Sequence, residues 1–95
     1  MDNATAVKPI NETGSEVMLE DMCEVILHND DHNNADFVVD CLMQVFGHSK
    51  TLAVKVMLEA HTMGRAIAEV ECESDARLHC SQLISFRLIA TIQKI

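Results

Sequence analysis

The sequence predicts an α+β fold, a single small β-α-α-β-α-β domain with three helices packed on a three-stranded sheet. Three short apolar runs, rich in β-branched residues or alternating with polar ones, indicate the strands. Three longer segments between them repeat apolar residues at helical spacing. The length of 95 residues, 48% of them hydrophobic, allows one modest core and therefore one domain. We place it at residues 22–95, after an extension over residues 1–21 whose mixed polar composition predicts flexibility.

The first strand and the first helix are predicted from an apolar run and the polar cluster after it. Residues 23–27 are a short β-branched run, and the Asn and Asp residues within 29–34 close it as a turn. Asn33, with Asp36 three residues later, is the predicted N-cap of the first helix. Gly47 ends this helix, because glycine readily adopts the left-handed conformation of a helix C-cap.

The remaining elements follow from the same kinds of signal. Ser49 is the predicted N-cap of the second helix, which Gly64 ends. Residues 66–72 alternate apolar and polar side chains, as a half-buried strand does. Residues 75–86 return to helical spacing, and residues 88–92 form the last predicted strand.

The composition limits the partners that the protein can bind. Fifteen acidic against seven basic residues give a formal net charge of -8. Such a field repels nucleic-acid phosphates and favours cationic groups, including peptide N-termini. No apolar run approaches the roughly 20 residues that span a bilayer. We therefore expect neither nucleic acid nor membrane as a partner.

The four cysteines bear on the redox environment. Cys23, Cys41, Cys72 and Cys80 include no CxxC pair, and three of them lie in apolar runs. We interpret them as reduced core thiols of a cytoplasmic protein. The even number also permits two disulfides, so this alternative stays open at the level of the sequence.

The polar residues at the end of the first strand are the most informative stretch. A solvated turn is the simplest interpretation. A metal site is a second one, because His28, Asp30 and His32 alternate as strand neighbours do. An EF-hand calcium loop is excluded, since Asp36 stands where glycine is required and Leu42 where glutamate is required.

A histidine near the end of the second helix is the next candidate. Met57 and His61 stand four residues apart and therefore share one face of the helix. A histidine there commonly interacts with the helix dipole and the last carbonyls. No serine occupies a nucleophile elbow, and a cysteine with a distant histidine indicates catalysis only weakly. We expect no enzymatic activity, no cofactor and no metal.

Two blocks of the sequence together resemble a known family. Residues 25–40, VILHNDDHNNADFVVD, resemble the signature of the ClpS adaptors, and residues 57–61, MLEAH, followed by residues 64–66, GRA, resemble their second block. The resemblance implies an adaptor that recognises proteins bearing a hydrophobic N-terminal residue, an N-degron. It also implies delivery of these proteins to a ClpA- or ClpC-type AAA+ ATPase of the Clp protease. The implied partners are substrate N-termini and the ATPase, and we expect a monomer.

The resemblance further implies a binding site between the strand-loop junction and the second helix. Asn29, Asp30 and His61 correspond to the residues that hold the α-ammonium group of the ligand. Asp31 belongs to the same motif and shapes the loop. The corresponding pocket for the first side chain is formed by six residues: Ile26, Ala35, Val38, Met57, Ala60 and Leu88.

The sequence departs from the family pattern at the pocket and in the third helix. Ala35 stands where the family usually has a long Met, and Ala60 where Val is common. Both changes predict a larger site. Ser74, Arg77 and His79 replace the acidic and Lys positions through which relatives dock on the ATPase, so we expect altered docking at these three positions.

The connection between the third helix and the last strand is short for this family. In this respect the chain is similar to the second ClpS paralogue of photosynthetic lineages. That similarity implies a ClpC-type partner and a location in the cytoplasm or, in a photosynthetic eukaryote, the plastid stroma. A second interpretation keeps the fold but makes the chain a docking or regulatory module that modulates the Clp ATPase without binding N-degrons.

Overall fold

The computed structural model describes residues 21–95. The extension predicted for residues 1–21 lies outside this part of the chain except for its last residue. The described elements occur in the predicted order β-α-α-β-α-β, and the predicted α+β fold is confirmed. They are β1 (Met22–His28), α1 (Ala35–Phe46), α2 (Lys50–Met63), β2 (Arg65–Cys72), α3 (Glu73–Ser85) and β3 (Ala90–Lys94).

The sheet has β1 at its centre, with strand order β2-β1-β3 and antiparallel pairing on both sides. Leu27 of β1 lies opposite Ala66 of β2 and Ala90 of β3. The register of β1 and β2 shifts after Val25, so that Ala68 is an extra residue of β2 without a partner on β1. Its carbonyl accepts a hydrogen bond of 2.8 Å from His48 Nε2, which follows α1.

The core lies between the sheet and the three helices. Leu42 of α1 and Leu83 of α3 are fully buried, and Val25 of the central strand belongs to the same cluster. Ala53 of α2 and Ala76 of α3 have no exposed surface either. These small side chains allow the helix backbones to approach closely, so a short chain with only three aromatic residues still forms a packed interior.

The helix ends are stabilised largely as the sequence predicts, with one correction. Gly47 and Gly64 adopt left-handed φ angles of 73° and 92° as C-caps, and Ser49 Oγ accepts from Leu52 N at the start of α2. The N-cap of α1 is Asn34 and not Asn33, because the Asn34 side chain accepts from Phe37 N at 2.9 Å. The side chain of Asn33 is directed to other partners.

The turn between α3 and β3 spans residues 86–89 and depends on one strained residue. Arg87 has a φ of 69°, a left-handed conformation that side chains rarely adopt. Its N–H donates to Ile84 O at 2.8 Å, and the N–H of Leu88 donates to Leu83 O at 3.1 Å. These bonds satisfy the last carbonyls of α3 and place Leu88 in the interior, 4% exposed.

The cysteines are all free thiols, and Cys23, Cys41 and Cys80 are buried. Burial raises the pKa of each of these three thiols. The interpretation as core thiols is therefore confirmed for Cys23, Cys41 and Cys80, whereas Cys72 is a free thiol that is only partly buried. The alternative of two disulfides is wrong. In residues 21–95, no helix combines the length and the apolar character needed to cross a membrane.

A pair of leucine substitutions tests the position of the core. We expect Leu42→Ala to lower the free energy of unfolding by about 2–5 kcal/mol, because a fully buried side chain leaves a cavity. Leu78→Ala, the same change at a side chain 54% exposed on α3, is the control and should cost about 0.5 kcal/mol or less. Urea denaturation followed by circular dichroism measures both losses. Equal losses would place Leu42 outside the core.

Candidate functional site

A cavity of about 330 Å³ opens where the end of β1 meets α1, α2 and the turn before β3. Its volume lies at the small end of the range for ligand sites. Polar side chains from the end of β1, the β1–α1 loop and the end of α2 form one half. Apolar side chains from α1 and α2, with Leu27 of β1 and Leu88 of the turn before β3, form the other. The lining residues are Leu27, His28, Asn29, Asp30, Asp31, Asn33, Ala35, Val38, Met57, Leu58, Ala60, His61 and Leu88.

Most of the residues that the sequence marks as site residues meet in this cavity. The three assigned to the amine, and Asp31 beside them, all line it. So do five of the six assigned to the side-chain pocket, namely Ala35, Val38, Met57, Ala60 and Leu88.

Ile26 does not line the cavity, and Leu27 does. Successive side chains of a strand point to opposite faces of the sheet. Cys23, Val25 and Leu27 point towards the helices and belong to the core cluster, whereas Ile26 is buried outside it.

The backbone at the end of β1 is held on both sides. His28 N donates to Ile89 O, and Asn29 N donates to Gly64 O, each at 2.9 Å. The first bond joins the strand end to the turn before β3, and the second joins it to the C-cap of α2. His61 lies in the last turn of α2, so this second bond keeps the β1–α1 loop next to the helix end that carries His61.

The carboxylate of Asp30 is held by hydrogen bonds at both of its oxygens. Its Oδ1 accepts from His32 N at 2.8 Å, and its Oδ2 accepts from Asn33 Nδ2 at 2.7 Å. His32 Nδ1 lies 3.3 Å from Oδ1, and the Asp30 side chain is only 6% exposed. The pKa of Asp30 is lowered, chiefly by the backbone N–H of His32 and also by the Asn33 amide, while burial acts in the opposite direction. Asp30 therefore places a fixed negative charge at the cavity.

The apolar half of the cavity is closed at its base and open at its rim. Val38, Ala60 and Leu88 are buried, whereas Ala35 at the start of α1 is exposed. Leu58 of α2 is 49% exposed although it lines the cavity. An apolar side chain entering here therefore meets a preformed hydrophobic base and a rim built from small or exposed residues.

The electrostatic environment favours a cation at the polar half. Two carboxylates, those of Asp30 and Asp31, belong to the lining, and none of the lining residues is Lys or Arg. The C-terminus of α2, with its C-cap Gly64, lies next to the cavity. A helix C-terminus carries a partial negative charge from the helix dipole. In residues 21–95, no three His, Cys, Asp or Glu side chains are grouped so that they could hold a metal ion.

Four lining residues were not assigned to the binding site from the sequence: Leu27, His28, Asn33 and Leu58. His28 Nε2 lies 2.8 Å from Thr91 Oγ1 of β3, a contact between strands that local patterns do not reveal. Leu27 shares a face of the sheet with Val25, but strand parity alone does not tell which face the helices cover. Asn33 donates to Asp30, three residues away, and to the carbonyl of Arg87, 54 residues away. No local signal reveals the second contact.

The three residues predicted to dock the ATPase lie on α3 and do not line the cavity. Arg77 forms an ion pair of 2.6 Å with Glu73, one helical turn earlier. His79 Nδ1 lies 2.7 Å from Glu71 Oε2, and its ring packs edge-on against Phe46. Ser74 is exposed at the start of the helix, with its Oγ 3.6 Å from Cys72 Sγ. Their role in docking stays a prediction.

Comparisons with known proteins identify relatives of this chain. The protein-family model described as ATP-dependent Clp protease adaptor protein ClpS matches residues 18–90. The chain is 37% identical over 91 residues to the ATP-dependent Clp protease adapter protein ClpS of Synechococcus elongatus, a match that covers 94% of this chain and 93% of the relative. It is 41% identical over 70 residues to the chloroplastic adapter CLPS1 of Arabidopsis thaliana, covering 73% of this chain and 44% of that protein.

A solved structure shares the fold. ClpS2 of Agrobacterium tumefaciens, bound to L-phenylalaninamide, matches with a TM-score of 0.75 and 26% identity, covering 80% of this chain and 99% of that one. The family match spans most of the chain, and the Synechococcus relative is covered almost from end to end. The chain therefore belongs to the ClpS family of Clp protease adaptors, which confirms the resemblance of the two sequence blocks.

The lowered pKa of Asp30 leads to a prediction about stability and pH. The ionised form stabilises the native state above the ordinary aspartate pKa of 3.8, and this contribution is lost as the pH falls through the lower native value. We expect Asp30→Asn to lower the free energy of unfolding at pH 7 by about 1.5 kcal/mol. The reason is that the N–H groups of His32 and Asn33 would no longer donate to a charged acceptor. The difference from the parent should narrow below pH 3.8.

Urea denaturation at a series of pH values measures this difference. Asp31→Asn is the matched control, because it removes the same charge from the same loop at an exposed side chain. A loss for Asp30→Asn that stays constant down to pH 2 would show that the carboxylate charge does not stabilise the loop.

Proposed function

We propose that this member of the ClpS family binds proteins through a free, hydrophobic N-terminal residue and delivers them to a ClpA- or ClpC-type AAA+ ATPase of the Clp protease. One observation carries the proposal: a single small cavity joins an acceptor-rich, negatively charged rim to a closed apolar base. A peptide N-terminus has the same two parts, an α-ammonium group and the first side chain, attached to one carbon atom.

The polar rim suits an ammonium group. A free α-amino group has a pKa near 8, so at neutral pH it is largely cationic and offers three donors, whereas an internal amide offers one neutral donor. Asn29 and His61 supply exposed acceptors. Asp30 supplies a negative charge, which acts on the ammonium group directly or through a bridging water. The partial negative charge at the end of α2 acts in the same direction. The rim therefore distinguishes the end of a chain from its middle.

The apolar base suits one large hydrophobic side chain. Val38, Ala60 and Leu88 form buried surface, and Met57 contributes a flexible, polarizable side chain that adapts to different shapes. The Agrobacterium relative binds L-phenylalaninamide, a compound with a free α-amino group and an apolar ring. A ligand of this chemistry carries the two groups that we propose the two halves of the cavity receive.

Delivery requires a partner, and membership of the ClpS family supports a Clp ATPase as that partner. The chloroplastic and cyanobacterial relatives support an assignment to photosynthetic lineages, with action in the plastid stroma or the cytoplasm. We assign α3, with Ser74, Arg77 and His79, as the docking surface, since it lies apart from the cavity and leaves the peptide site open. The protein acts in this scheme as a non-enzymatic monomer.

The rim residues provide the first test of this function. Asp30→Ala or His61→Ala should weaken binding of a peptide that begins with Leu or Phe by about 1.5 kcal/mol or more, roughly tenfold in affinity. Isothermal titration calorimetry on folded variants measures the change. N-terminal acetylation of the same peptide should abolish binding to the parent, because it removes the charge and two donors.

Two results would contradict the proposal that these residues recognise a free α-amino group. Unchanged affinity in both variants would remove these side chains from the site. Equal affinity for free and acetylated peptides would instead support a module that regulates the ATPase or binds internal peptide segments.

The exposed Ala35 predicts relaxed selectivity among first residues. A first residue Ile or Val carries an extra methyl group on Cβ, close to the backbone and therefore at the rim, where a long side chain at position 35 would collide with it. We expect Ala35→Met to increase the preference for Leu over Ile by roughly 1–3 kcal/mol. Fluorescence anisotropy with peptides that differ only in the first residue measures the ratio. A ratio equal to that of the parent would show that Ala35 does not control access.

A further inference from the structure

The side chain of Asn33 joins two parts of the cavity that are far apart in sequence. Its Nδ2 donates to Asp30 Oδ2 at 2.7 Å and to the backbone carbonyl of Arg87 at 2.9 Å. The second partner lies 54 residues away, in the turn between α3 and β3. One amide nitrogen thus connects the β1–α1 loop, which carries Asn29 and Asp30, to the turn that holds Leu88 at the apolar base.

The chemistry of the two partners fixes the orientation of this amide. An ionised carboxylate and a backbone carbonyl can only accept hydrogen bonds. The nitrogen of Asn33, with its two N–H groups, must therefore face both of them, since the amide oxygen in this place would oppose two other oxygens. Both donors of the nitrogen are used, so the contact cannot rotate without breaking two bonds.

Each end of this bridge controls a feature of the site. At one end, the Asn33 amide is one of the causes that lower the pKa of Asp30 and hold its carboxylate in place. At the other end, the carbonyl belongs to Arg87, whose left-handed φ of 69° directs the chain so that Leu88 enters the interior. A hydrogen bond to this carbonyl helps to retain a conformation that costs free energy.

We propose that Asn33 is a positioning residue that couples the two halves of the site, so that one amide sets both the placement of the Asp30 carboxylate and the turn that presents Leu88. This inference rests on the proposed function, in which the two halves receive the ammonium group and the first side chain of the same ligand. Loss of the bridge then changes two properties together: the affinity for a free N-terminus and the selectivity for the first residue.

The neighbouring asparagine offers a matched control. Asn34 caps α1 through its side chain and contacts neither Asp30 nor Arg87 by a hydrogen bond that the structure describes. Asn33→Ala and Asn34→Ala remove the same group from adjacent positions of one loop. Asn33→Asp keeps the shape of the side chain but presents oxygens where the bridge requires donors. If Asn33 acts only on stability, Asn33→Ala and Asn34→Ala should differ from the parent in the same way.

The test combines titration of the Asp30 carboxyl by nuclear magnetic resonance in the unliganded protein with anisotropy measurements on peptides beginning with Leu or Phe. In Asn33→Ala and Asn33→Asp, Asp30 should titrate at a higher pH than in the parent. Affinity for the Leu peptide should fall about tenfold, the effect of one charge-assisted hydrogen bond. The Leu-to-Phe affinity ratio should change by threefold or more. Asn34→Ala should leave the titration and the ratio at their parent values.

The outcomes separate this inference from the function on which it rests. A parent protein that binds no free-amine peptide overturns the proposed function. A parent that binds, together with Asn33 variants whose titration and affinity ratio match the parent, overturns the coupling alone. Equal changes in Asn33→Ala and Asn34→Ala also overturn it, because the effect would then come from general destabilisation of the loop.

Discussion

The central position of β1 is the constraint on which the rest of this structure depends. Both edges of the strand are paired, one with β2 and the other with β3, so its register cannot slip without breaking two ladders. Its last residues consequently emerge between the C-cap of α2 and the turn after α3, where the N–H groups of His28 and Asn29 find their carbonyl partners. The cavity exists because three distant segments of the chain are held around this one strand end.

Local sequence signals were sufficient for the order of elements but not for the orientation of every side chain. Glycines at helix ends and a serine cap determine boundaries through interactions within a few residues, so Gly47, Gly64 and Ser49 were correctly assigned. In contrast, Ile26 lies within an uninterrupted apolar run of the central strand. Both faces of this strand are buried there, since Val25, Ile26 and Leu27 are all shielded from solvent. Burial alone cannot then show which of Ile26 and Leu27 lines the cavity; the answer requires the direction in which the helices pack.

The two adjacent asparagines show the same limit for polar residues. Both Asn33 and Asn34 have the chemistry of an N-cap, and the sequence alone favoured the first. The fold assigns the cap to Asn34, because Asn33 meets a carbonyl of Arg87 that becomes its neighbour only when α3 has turned back to β3. Likewise, nothing in the local pattern marks Arg87 as left-handed, since that conformation is imposed by the short connection to the last strand. The site was thus predictable as a set of motifs, whereas the contacts that join the motifs were not.

The extra residue in β2 affects how the protein meets other copies of itself. Exposed edge strands are the places where sheets of separate molecules join and grow into fibres. At Ala68, the carbonyl that β1 does not use is already occupied by His48, and Glu69 and Glu71 follow on the same edge. A strand arriving from another molecule would meet an imidazole in place of an acceptor, next to a bent and acidic ladder. The β2 edge therefore opposes intermolecular strand pairing at this position.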